Sequence, residues 1–89
     1  MKREKVLELG FEELPHKALG KPLIYNLGRN RQLSLSNLGN PNEVLFIYET
    51  DIENPQDIND MVCLHNYDYD GYLTEEKLSL LLTFFAQKQ

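Results

Sequence analysis

The sequence predicts an α+β fold: an N-terminal helix, an antiparallel sheet of four or five strands, and a C-terminal helix packed on one face. Three observations carry this. Residues 22–49, "PLIYNLGRNRQLSLSNLGNPNEVLFIYE", alternate apolar and polar side chains and are broken twice by turn formers. The two ends of the chain show the start and stop signals of helices instead. Connections short enough for hairpins join the strands, which should therefore pair in sequence order as a meander. At 89 residues there is room for one domain, 1–89, near the lower size at which a chain folds without staples.

Taken in order, residues 2–9, "KREKVLEL", read as a helix. Gly10 stands where a left-handed cap closes it, with Phe11 folding back onto Val6. Its apolar face is only Val6, Leu7 and Leu9, so it must lean on the rest of the domain. "FEELP" follows as a short strand, ended by Pro15, which has no N–H for a ladder. Leu23, Tyr25 and Leu27 alternate, "GRN" turns the chain, and Leu33 and Leu35 resume the alternation. "NLGNPN" is a second turn, and "EVLFIYE" is apolar on both faces, which predicts a central strand or one beneath the helices.

"TDIENPQDIND" is the longest expected loop. "MVCLHN", residues 61–66, admits two readings: a strand, or part of a helix from near Pro55 with Ile58, Met61, Val62 and His65 on one face. Four consecutive apolar residues favour the strand, buried in the centre of the sheet. In the last helix Thr74 is the cap, Glu75 and Glu76 occupy the first turn, and Lys88 lies near the end. Leu78, Leu81, Leu82 and Phe85 form its inward stripe. Leu80, Phe84 and Ala86 widen that stripe beyond what one sheet face covers, which predicts deep burial or a homodimer through the C-terminal helix.

Composition bounds the function classes. With 42% hydrophobic and 26% charged residues the chain is ordinarily globular. No apolar run is long enough to cross a bilayer, and the N-terminus lacks the apolar core of a secretory signal. A single cysteine, Cys63, excludes an internal disulfide framework and suits a reducing, cytoplasmic setting. The formal charge of −5 disfavours nucleic acid as a partner and suits a protein with a basic surface.

The richest motif is "NYDYDGYLTEEK", residues 66–77. It resembles an EF-hand calcium loop, with Asn66, Asp68 and Asp70 at the first, third and fifth places and Gly71 at the sharp turn. The resemblance implies a carbonyl ligand from Tyr72 and an apolar eighth residue, Leu73. It departs from the family at the twelfth place, where Lys77 stands instead of a bidentate glutamate. The simpler expectation is a turn whose carboxylates bond local amides and hold no metal. A degenerate calcium module using Asn66, Asp68, Asp70 and Tyr72 is the alternative. The stretches "ELGFEELPH", "YNLGRNRQLS", "LGNPNEVLFI" and "CLHNYDYDGYL" also resemble small α+β proteins of Bacteroidota and their phages. That resemblance implies a mobile-element origin and brings no activity, cofactor or site.

Cys63 and His65 stand two apart, on one face if the strand is regular, and with His16 or Asp68 they form the beginning of a nucleophile or metal site. No recognised nucleophile turn surrounds Cys63, and a buried, inert thiol is the expectation. His16 reads as a hydrogen-bonding loop residue, and Arg29 and Arg31 as solvated cations at a hairpin tip. Tyr67, Tyr69 and Tyr72, set among Asp68 and Asp70, are good interface material. The predicted function is therefore a small acidic protein-binding module, possessing no catalytic site or cofactor and acting on an unidentified protein partner through Tyr67, Asp68, Tyr69, Asp70 and Tyr72.

Overall fold

The computed structural model describes residues 1–13, 21–51, 53–54 and 57–87. Its elements are α1 (Arg3–Glu8), β1 (Glu12–Glu13), β2 (Leu23–Gly28), β3 (Arg31–Ser36), β4 (Val44–Thr50), β5 (Ile58–Asn66), α2 (Tyr67–Asp70) and α3 (Glu75–Gln87). The strands form one antiparallel sheet in the order β1-β2-β3-β4-β5. The α+β meander of the sequence reading is the fold observed, with five strands. Pro15, His16, Pro55 and Lys88 lie outside the described residues.

Local chemistry explains the joints. Gly10, at φ 111°, closes α1: its N–H donates to the Leu7 carbonyl and the Phe11 N–H to the Val6 carbonyl. This pair of bonds turns Phe11 back into the core beside Val6. Between β2 and β3 the two-residue turn is Arg29–Asn30, both at positive φ, the mirror-image turn whose twist matches that of the strands. Thr74 caps α3, its Oγ1 accepting the Lys77 N–H at 3.1 Å.

Period-two alternation places the core. Leu23, Leu35, Leu45 and His65 are cross-strand neighbours on one face, as are Leu33 and Ile47. Leu78 and Phe85 of α3 pack against these leucines, joined by Val6, Phe11, Leu27 and Leu73. The helix crosses the sheet diagonally. Its start meets β5 at Lys77–His65, and its end meets β3, where Arg31 lies 5.7 Å over the Phe85 ring. On the opposite face Val44 and Phe46 are half-buried, and Tyr48 donates to Gln32 at 2.9 Å across β3–β4. No helix among the described residues is long and apolar enough to cross a membrane.

Three expectations are corrected. The segment "MVCLHN" is a strand, but it belongs to β5 at the edge of the sheet, where Met61, Val62 and Cys63 are exposed. A meander puts its last strand at an edge whatever its hydrophobicity, so the apolar run did not signal a central position. Cys63 is accordingly not buried. Nor do Cys63 and His65 share a face: the register shifts at Leu64, so Cys63 pairs with Phe46 and His65 with Leu45.

Candidate functional site

The end of β5 and the loop after it are organised by one buried carboxylate. Glu43 precedes β4, is 1% exposed, and receives three donors. The Gly39 N–H reaches Oε2 at 2.8 Å, while the Leu73 N–H and His65 Nε2 meet Oε1, the latter at 3.0 Å. Its backbone carbonyl accepts the Tyr67 N–H as well. One residue thus ties together the β3–β4 turn, β5 and the entry to α3 through its side chain, and α2 through its carbonyl.

His65 continues the network. Its ring is buried, with Lys77 Nζ 3.3 Å from Nδ1. An ammonium can only donate, so in the neutral ring Nδ1 accepts and the ring hydrogen sits on Nε2, aimed at Glu43. Both ring nitrogens are therefore engaged, and His65 presents no free base to a substrate. The Cys63 thiol points elsewhere and donates to the His65 carbonyl at 3.3 Å.

The calcium-loop likeness can be tested against this geometry. Asn66 uses its side-chain oxygen as the cap of α2, accepting the Asp68 N–H at 2.9 Å. Asp70 Oδ2 accepts the Asn66 N–H at 3.1 Å, and its Oδ1 lies 3.6 Å from the Lys77 ammonium. Gly71, at φ 73°, supplies the sharp turn. Lys77 thus brings its own cation to the acidic loop where the EF-hand family offers two more oxygens. Among the described residues no three His, Cys, Asp or Glu side chains are grouped to hold a metal ion. In this geometry the side-chain oxygens of Asn66 and Asp70 are directed to amides and to Lys77.

Asp70 titrates accordingly. The Asn66 N–H, above all, holds its carboxyl below the usual carboxylate range; partial desolvation opposes this, and Lys77 and His65 add to the lowering. A carboxyl depressed in the folded state stabilises above its unfolded value and loses that contribution as pH falls through the folded value. Asp70→Asn should therefore lower the urea midpoint at neutral pH. The gap from the parent should narrow once the pH is well below about 3.9. Parallel curves at the two pH values would show that Asp70 is not an acid-sensitive tie.

Of the predicted contact residues, Asp70 is committed to the loop, and Tyr67 is half-buried against Tyr72 with ring centroids 4.6 Å apart. Asp68 and Tyr72 are exposed, and Tyr69 is 88% exposed. Arg29 is exposed at the β2–β3 turn, whereas Arg31 is half-buried. Sequence reasoning missed Glu43 altogether. Its partners His65 and Leu73 lie 22 and 30 residues away, so no local pattern marks it. The one available signal was an acid placed directly before an apolar strand.

No protein-family model matches the chain, and neither a curated protein nor a solved structure matches it at a significant level. The fold and the loop define its class: a small α+β domain carrying a tyrosine-rich acidic turn on a hydrogen-bonded base.

Proposed function

We propose that the protein is a small acidic binding module that occupies the surface of a protein partner through the Tyr67–Tyr72 turn. The observation that carries this reading is Tyr69, which stands 88% exposed on a turn fixed from beneath by Glu43, Asp70 and Lys77. A large aromatic with two rotatable bonds, presented on a fixed backbone, binds with little loss of side-chain entropy. Asp68 beside it adds negative charge, in keeping with a partner of basic surface. Asp70 acts by positioning this patch, and Tyr67 by backing Tyr72.

The experiment is capture of the partner from a host lysate on immobilised protein, followed by affinity measurement with the captured species. Tyr69→Ala should weaken binding by about 30-fold, the value of a central tyrosine anchor near 2 kcal/mol. Asp68→Lys should weaken it further at low salt than at high salt. Both residues are exposed, so both variants should stay folded. Calcium or chelator should leave capture unchanged. Unaltered affinity in both folded variants would refute the patch, and capture only with calcium would restore the calcium-module alternative.

A further inference from the structure

The loop leaves a second surface unexplained. β5 is the longest strand, its outer edge has no strand partner among the described residues, and residues 58–66 contain neither lysine nor proline to guard it. Ile58, Met61 and Val62 are each about half exposed along it, Val62 at 53%. Val62 pairs with Ile47 and so lies on the face that carries α3. That face is uncovered at this end of β5, because α3 starts above His65 and runs diagonally away towards β3.

The near flank of α3 is apolar too. Lys77, Leu80, Leu81 and Phe84 recur at helical spacing along a shallow groove of about 600 Å³. Since Lys77 reaches His65, this flank faces the β5 side of the molecule. Leu80 is 65% exposed, and Phe84, in edge contact with Phe85, is half exposed.

We propose that this edge is a self-association surface: a second copy of the chain pairs its β5 antiparallel to the first, centred on Val62, joining two five-stranded sheets into one. One symmetry operation then accounts for both exposed features. A two-fold axis perpendicular to the sheet keeps faces together, so the two α3 helices lie on the same side and present their apolar flanks to each other. Charge favours the same occupant. Asp60 is the only charged residue in β5 of a chain with net charge −5, so two copies meet here with little repulsion. With Val62 at the centre, His65 of the second copy falls opposite Asn59, to within the residue that the bulges shift. Its Lys77 then comes towards Glu49, which is exposed and paired with Asn59.

The bulges also limit the pairing. Register shifts on either side of Met61–Cys63 leave a short regular run, too short to hold a dimer alone. The α3 flanks must supply much of the roughly 800 Å² that each partner buries in a stable interface. This surface is separate from the tyrosine turn and is tested separately.

Sedimentation over a concentration series should show a dimer for the parent chain. Val62→Lys and Leu80→Lys should each halve the mass while circular dichroism stays unchanged. Tyr69→Ala should remain dimeric. A parent chain that is monomeric at every concentration overturns the proposal. So does a dimer that survives both lysine substitutions, or one that Tyr69→Ala dissociates.

Discussion

Replacing Glu43 by alanine is expected to cost about 4 kcal/mol of folding stability, a large share of the roughly 5–15 kcal/mol that holds a small domain together. The figure follows from what the carboxylate does. It accepts from Gly39, Leu73 and His65, and alanine leaves all three donors facing a space that no side chain fills. Each buried donor without a partner costs about 1–3 kcal/mol, and water entering the vacated space recovers part of it. A urea melt read by circular dichroism measures the loss. Glu43→Gln keeps a carbonyl oxygen for one or two of the donors and should recover about half. The damage should also be local before it is global. Amide exchange at Gly39 and Leu73 should accelerate first, because these N–H groups lose the Glu43 carboxylate as acceptor while the ladders of β2, β3 and β4 remain. Stability of Glu43→Ala within about 1 kcal/mol of the parent would mean that the network follows the fold rather than holding it.

The same residue shows why the sequence was readable in some places and opaque in others. The meander was legible because each of its signals is local: alternation within a strand, a short turn at Arg29–Asn30, a glycine cap after α1. The turn around Asp68–Gly71 was legible for the same reason, since the Asn66 and Asp70 side chains accept amides two and four residues away. What failed was everything that depends on which surfaces meet. "MVCLHN" carries the composition of a buried strand, yet its burial is decided by whether anything lies beyond β5. Cys63 and His65 alternate on paper, but the bulge at Leu64 sends them to opposite faces. Lys77 was legible as a departure from the calcium loop. That its ammonium turns inward, to Asp70 and His65, needed the three-dimensional path of β5.

Leu78→Ala and Leu80→Ala should behave as opposites, though both replace a leucine in the same helix turn. Leu78 is fully buried among the core leucines of the sheet, with no exposed area. Its truncation should cost about 3 kcal/mol, the sum of lost transfer energy and the cavity left behind. In a domain of this size that lowers the melting temperature by roughly 12–24 °C. Leu80 is 65% exposed, so the isolated fold gains little from it and the change should stay within about 0.5 kcal/mol. Thermal melts at low protein concentration separate the two. At high concentration the comparison acquires a second meaning. If two copies pair along β5, Leu80 is covered in the dimer, and its truncation should lower the melting temperature increasingly as concentration rises. Leu78 should show no such dependence beyond the parent's, because its contacts lie within one chain. A Leu80 effect that is the same at every concentration would confine that side chain to the monomer surface and leave the apolar width of α3 without a binding role.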